Sequence, residues 1–307
     1  MNRAPRLLFA FLLATGPATL PSGARLMAIP AEQPTAKGQV DPRAALKPVA
    51  AKAPDIPSDS PSNDFEIQSE QQLLVLANQA RRQAGEPSLT LDPGLTSAAR
   101  THAQAMLTAQ QLSHQFDGEP SLPQRLADRT ILQLDREAEN VALDYDARQG
   151  HEHLMLSAPH RANLLNPVYN VVGLGVVRSG DRLYIVQDFG HALPNYSPDE
   201  LKDRIVKAVN QMRRQARQPG LQRRELPAAD DVACSMAQAD TLATPAAQNF
   251  APNSTVFTFT TLHPEQLPAE TERAIASRNL HSVTTGACYG RTDTYPTGAY
   301  WVVLSLE

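Results

Sequence analysis

The chain has 307 residues, 42% hydrophobic and 20% charged, and a formal charge of −4. This is apolar material for a real core and length for about two domains, while the acidic balance offers no basic face to a nucleic-acid backbone, so no nucleic-acid partner is expected. Two cysteines exclude a disulfide-rich scaffold and a four-thiolate metal site, and ten of the 25 prolines crowd into the first 64 positions.

Residues 1–24 have the layout of a secretory signal peptide: Arg3 and Arg6 are basic, Leu7 to Ala14 form a short apolar run, and Ser22, Gly23 and Ala24 are small. The run is far short of the ~20 residues of a spanning helix; an uncleaved anchor is the alternative. No later stretch is long and apolar enough to span, so no stable membrane span is expected after cleavage. Removing Arg3 and Arg6 and no acid moves the formal charge from −4 to −6. The expected location is secreted or periplasmic, where cysteines oxidise. Residues 25–64, rich in Pro, Ala, Ser, Lys and Asp without apolar periodicity, are expected to be an extended linker.

A helix is expected from Ser69, which has capping-box spacing to Gln72, with Leu73, Leu76, Ala77, Ala80 and Ala84 on one face and Gly85 and Pro87 ending it. Asp92-Pro93 opens a second helix as N-cap and first-turn proline; its stripe is Leu95, Ala98, Ala99, His102, Ala105 and Met106. Short helices follow at Leu122 to Ala127 and Ala147 to Ser157. Val171–Val177 and Leu183–Phe189 flank Ser179-Gly180-Asp181-Arg182 as a hairpin. Helices first and antiparallel strands later predict an α+β layered domain.

The second half repeats the opening. Ser197-Pro198-Asp199-Glu200 is another capping-box start. Asn210 to Ala216 matches Asn78 to Ala84 in six of seven residues at an offset of 132, and Ala237-Gln238-Ala239 matches Ala103-Gln104-Ala105 at 134. Gly286 to Gly290 and Tyr300 to Leu306 form a second hairpin pair. A shortened internal copy is expected, with chance likeness of two amphipathic helices as the alternative.

Polar residues cluster at Ser113-His114, Ala138-Glu139-Asn140 and Ser157-Ala158-Pro159-His160-Arg161-Ala162-Asn163. With Asn78, Arg81, Gly85 and Leu89 in the opening, the alanine-rich second helix, and a Gly-x-Gly strand before Gln187-Asp188-Phe189-Gly190, residues 68–195 resemble the CAP superfamily. That family includes cysteine-rich secretory proteins, venom allergens and plant pathogenesis-related proteins; the likeness here is to its cysteine-poor bacterial branch. The resemblance implies an α-β-α sandwich around a central antiparallel sheet. It divides the chain into a CAP-like domain at 65–196 and a shortened CAP-like repeat without the site at 197–307.

The resemblance also implies a cleft with two histidines and two acids that binds a divalent metal in some members. His114 and His160 match the histidines and Glu139 the acid of the Glu-Asn motif. The second acid falls at about Ser157, which removes one ligand and one acid/base group. His114, His160 and Glu139 are a three-ligand set for zinc or another divalent metal with an open fourth position, and Asn140 and Asn163 are placed to orient them. The competing reading is a hydrogen-bonded polar network under the sheet. Ser157, His160 and Glu139 also supply a nucleophile, base and orienter, but no oxyanion-hole signature surrounds Ser157.

Other histidines carry weaker signals. His151 and His153 do not share a helix face and read as a solvated pair, His102 reads as a packing residue, and His191 follows the last strand at the cleft rim. In the second half Met236 stands where the first has His102, and His263 and His281 sit in unrelated contexts. Cys234 on its second helix and Cys288 on its first C-terminal strand are expected to form a disulfide worth about 4 kcal/mol in the chain-entropy model; two buried free thiols are the alternative.

The leading function is an extracellular module that binds a ligand or partner protein in the cleft, with no covalent chemistry. The second is a metal-assisted hydrolase of peptide or cell-envelope substrates, with Glu139 as base or ligand and His114 and His160 holding zinc to activate water. The third is a structural or interaction protein. The balance leans away from an enzyme, and fold alone does not choose.

Overall fold

A computed structural model of the protein describes residues 26–28 and 65–307. The expected signal peptide and all but three residues of the expected linker lie outside the described residues. Those three, Leu26–Ala28 (β1), pair in parallel with a strand of the second half, where composition predicts only linker.

The first half runs α1 (Ile67–Ala84), β2 (Thr90–Leu91), α2 (Pro93–Ala109), α3 (Leu122–Ala127), β3 (Leu134–Asp144), α4 (Ala147–Leu156), α5 (Ala158–Leu164), β4 (Val171–Ser179) and β5 (Arg182–Ala192). The sheet order is β2-β4-β5-β3. Its three long strands are antiparallel, as expected; the short β2 joins in parallel at one edge and makes the sheet mixed. The other edge, β3, is where the polar residues gather.

Alternation along the strands explains the layers. Val172, Leu174, Val176, Ile185 and Phe189 face α1, α4 and α5, while Val177, Tyr184, Val186 and Val141 face α2. α2 begins as expected, with Asp92 Oδ1 accepting from Leu95 N at 2.8 Å. It lies close on β4: a Cβ on Gly173 would meet the Leu95 carbonyl carbon at 2.1 Å, so only glycine fits there.

α1 differs from its expected start. Its N-cap lies three residues earlier, at Glu66, without a side-chain cap bond, and Ser69 lies inside the first turn. Gly85 ends it in the left-handed conformation, φ +82°. Ala84 is exposed and the buried face contains Arg81 instead. The Arg81 guanidinium donates to the carbonyls of Pro87, Leu164, Asn166 and Tyr169 at 2.6–3.0 Å, tying α1 to the chain after α5.

The second half runs α6 (Pro198–Gln215), β6 (Gln222–Arg224), α7 (Pro227–Ala239), α8 (Pro245–Gln248), β7 (Thr255–Thr261), α9 (Glu272–Ile275), β8 (Ser282–Gly290) and β9 (Ala299–Leu306). The expected capping box is present at Ser197 and Glu200. Its sheet order is β1-β7-β9-β8-β6, with β7, β9 and β8 antiparallel. Apolar clusters lie on both faces, under α6 and α9 on one side and α7 and α8 on the other. Cys234 and Cys288 are joined as a disulfide, Cα atoms 5.0 Å apart.

The same contacts recur in both halves. Asn78 brackets Leu89 through its backbone N and O, and Asn210 does so with Leu221. Arg81 donates to Pro87 O and Arg213 to Pro219 O. A Cβ on Gly286 would meet Ala229 O of α7 at 2.0 Å, as Gly173 meets α2.

Candidate functional site

The site lies at the β3 edge, where both helical layers reach past the sheet. From the α2 side, the loop after α2 brings His114, whose Nδ1 donates to Glu139 Oε1 at 2.9 Å. Glu139 Oε2 accepts from Arg125 Nη2 on α3 at 2.5 Å. From the other side, α5 brings His160, its ring centroid 6.5 Å from that of His114 and tilted by 39°. The three residues singled out from the sequence thus meet, although 46 positions separate the histidines (160 − 114).

Asn140 points to the opposite face of β3 from Glu139. Its Nδ2 donates to His160 O at 3.1 Å and Gln187 Oε1 at 3.2 Å, and its Oδ1 accepts from Asn163 Nδ2 at 3.0 Å. This amide chain fixes α5, and so His160, against the strand edge. Burial, aided by the neighbouring His114, holds the His160 imidazole below its usual pKa, which favours the neutral ring.

Beneath Glu139 lies a buried ionic network. His102 is fully buried: Nε2 donates to Ser113 O at 2.9 Å, and Nδ1 is 2.7 Å from Glu119 Oε1 and 2.9 Å from Arg125 Nη1. The sequence expectation of a satisfied packing histidine therefore holds. Burial pushes the Glu119 carboxyl up, but hydrogen bonds from His102 and the Phe116 amide outweigh it and hold the pKa below the usual range. Asp188 pairs with Glu139 across the strands and is fully buried, with no donor to either oxygen among the described residues. Burial, then the Glu139 charge, pushes its pKa well above the usual carboxylate value, which favours the protonated acid.

Arg125, Glu119 and Asp188 were not read from the sequence as site residues. Two had visible signals. Asp188 is a charged residue inside the apolar run Leu183–Phe189, and Arg125 stands directly before Leu126 and Ala127 on a six-residue helix. A charge in such a place needs a buried partner.

The remaining candidates separate. Ser157 is the joint between α4 and α5, and its hydroxyl makes no cap bond to α5. His151 and His153 are not both solvated, as the sequence suggested. His151 is buried with Nδ1 unpartnered, and burial lowers its pKa; His153 is exposed and pairs with Asp144 at 2.6 Å. His191 Nδ1 donates to Asp135 Oδ1 at 2.6 Å, and His263 of the second half reaches Asp135 Oδ2 at 3.1 Å. His281 offers its backbone N–H to Glu307 O.

The zinc set expected from the sequence meets a rival in Arg125. One Glu139 oxygen is taken by His114 and the other by a guanidinium, which would repel a dication placed beside it. Among the described residues no group of three or more His, Cys, Asp or Glu is arranged to hold a metal ion. As it stands, the donor set does not fit a three-ligand zinc site.

The second half carries no such network at the matching rows. In the first half, Glu139, Asp188 and Gly173 lie side by side across β3, β5 and β4; in the second, Thr258, Val303 and Gly286 take those places. The adjacent row of Asn140, Gln187 and Leu174 becomes Phe259, Val302 and Ala287.

Residues 74–189 match the family model described as CAP, the cysteine-rich secretory protein family. The uncharacterized membrane protein YlbC of Bacillus subtilis is 32% identical over 133 residues, covering 43% of this chain and 37% of that one. The uncharacterized protein YkwD of the same organism is 28% identical over 161 residues, covering 49% and 58%. This chain therefore spans 37% and 58% of the length of these curated relatives. Among solved structures, an extracellular protein containing a SCP domain from Bacillus anthracis is 25% identical, with 41% of each chain covered and a TM-score of 0.36. Residues 74–189 are thus similar in sequence to the CAP, or cysteine-rich secretory protein, family.

Proposed function

We propose that the protein is an extracellular CAP-type binding module, exported to the periplasm or the medium, whose cleft around His114, Glu139 and His160 receives a ligand without covalent chemistry. The observation that carries this reading is the state of Glu139. Its charge is matched by Arg125 and both oxygens are engaged, so it is poorly placed to abstract a proton or hold water for attack. Two imidazoles remain at the opening, His114 half exposed and His160 favoured as the neutral ring. Such rings donate and accept hydrogen bonds and stack on flat groups, which suits a polar, weakly charged ligand.

A panel of cell-envelope glycan and peptide fragments, screened against wild type and the His114→Ala/His160→Ala double variant, tests this. Binding lost in the double variant supports the cleft; equal binding by both proteins contradicts it. A fragment that is cleaved, with turnover lost in Glu139→Gln, would move the reading to a hydrolase.

A second reading places a divalent ion on His114 and His160 without Glu139, favoured by the 6.5 Å separation of the rings. Zinc titration of wild type and the double variant decides it. Uptake equal in both proteins excludes the two imidazoles as the holders.

A further inference from the structure

Apart from the Tyr196 amide, which donates to Tyr300 Oη at 3.0 Å, the side-chain contacts that cross between the halves converge on one short stretch. Arg291, just after β8, donates to Ala127 O at 2.7 Å and Thr130 O at 2.8 Å, and reaches Leu132 O at 3.4 Å. Thr297 Oγ1 donates to Leu134 O at 2.9 Å, Gln133 Nε2 donates to Gly298 O at 3.3 Å, and His263 binds Asp135. All of these first-half residues fall between 127 and 135, the segment that leads from α3, which carries Arg125, to β3, which carries Glu139.

That segment needs outside partners. Helix α3 has only six residues, too few to be stable alone; its Gln124 and Leu126 carbonyls accept from the amides of Asp128, Arg129 and Thr130, while Ala127 O and Thr130 O accept from Arg291. Arg291 supplies donors and a positive charge at that end. Without it the carbonyls of Ala127 and Thr130 lose a partner next to the Arg125–Glu139 pair, and buried carbonyls left alone are costly. At the rows that match Glu139 and Asp188 the second half carries Thr258 and Val303, so no acid stands there among the described residues.

We infer that the second half is a splint for the cleft. Arg291, helped by Thr297 and His263, holds residues 127–135, and through them positions Arg125 against Glu139. Arg291 touches none of the cleft residues and acts as a positioning residue. The inference rests on the cleft reading only for its consequence for ligand binding; the positioning itself is measurable without ligand.

The test is amide exchange and imidazole NMR on the full chain with Arg291→Ala, Arg291→Lys and Thr297→Val. In Arg291→Ala, exchange across 128–140 is expected to speed up about tenfold, the scale of a charge-assisted hydrogen bond lost locally. The His114 Nδ1–H signal held by Glu139 is expected to broaden, while β8 and β9 keep their protection. Arg291→Lys restores part of the protection, since an ammonium cannot reach three carbonyls as a guanidinium does. If Arg291→Ala unfolds β9, Thr297→Val decides: faster exchange confined to 128–140 supports the splint, and unchanged exchange there overturns it. Unchanged exchange at 128–140 in a folded Arg291→Ala also overturns it. Ligand binding lost without that loosening leaves the cleft standing and removes the splint. Loosening in a protein that binds no fragment keeps the splint and removes the cleft reading.

Discussion

Arg125 donates to Glu139 Oε2 at 2.5 Å while His114 donates to Oε1 of the same carboxylate at 2.9 Å. The acid that the sequence offers as base or metal ligand is thereby made the anchor of an ion pair. Both partners are almost fully buried, so the pair is strongly coupled to its surroundings.

Glu139→Ala leaves Arg125 with Glu119, at 3.0 Å, as its remaining carboxylate. The expected loss is about 3 kcal/mol, at the low end for breaking a buried pair because that second carboxylate stays. Urea unfolding at neutral pH checks it; a loss below about 1 kcal/mol would place the pair among weak surface bridges.

Asp188→Asn is expected to stabilise the protein as pH rises. The folded-state pKa lies above the unfolded value, so folding favours the protonated acid. The favourable state is complete below the unfolded value near ~4, and stability is lost as pH rises toward the folded value. The asparagine has no such slope. Unfolding curves for both proteins, followed as pH rises from about 4, should diverge with the variant above; parallel curves would mean Asp188 is ionised in the fold.

Arg81→Met removes the donor to four backbone carbonyls, and Arg213→Met removes the donor to those of Pro219, Ile275 and Ser277. Each is expected to cost about 3 kcal/mol or more, since the carbonyls left behind are buried and unmatched. Chemical denaturation of the two variants should show large losses in both halves.

Much of this architecture was legible because it rests on periodicity and caps. The α2 start at Asp92-Pro93, the hairpin around Gly180 and the Ser197 capping box need only local chemistry, and each stands where expected. Strand β3 was not legible: its run Leu-Asp-Arg-Glu-Ala-Glu-Asn alternates charges because it is an edge strand with the site on one side. The Leu76 and Ala84 face of α1 gave way to Arg81, whose partners lie 83 to 88 positions away as well as nearby. His114, Glu139 and His160 were found through the family pattern, whereas Arg125 and Asp188 required the register of β3 on β5 and the position of α3.

Loss of the Cys234–Cys288 bridge, which closes a separation of 54 positions, is expected to destabilise the second half by about 4 kcal/mol. Cys288 stands two residues beyond Gly286, as Gly175 stands beyond Gly173. The second half thus places a covalent link where the first uses close packing of α2 on glycine. Alkylation of the denatured, unreduced chain should add no mass; two alkyl groups would show free thiols.

The central claim is that the first half's cleft binds through its two imidazoles, with Glu139 held as an anchor. The most direct measurement is binding of cell-envelope fragments, in the presence of EDTA, to wild type and to His114→Ala/His160→Ala. The account predicts a fragment bound by wild type under EDTA and not by the double variant. Binding that the double variant keeps, or that EDTA abolishes in wild type, would contradict it.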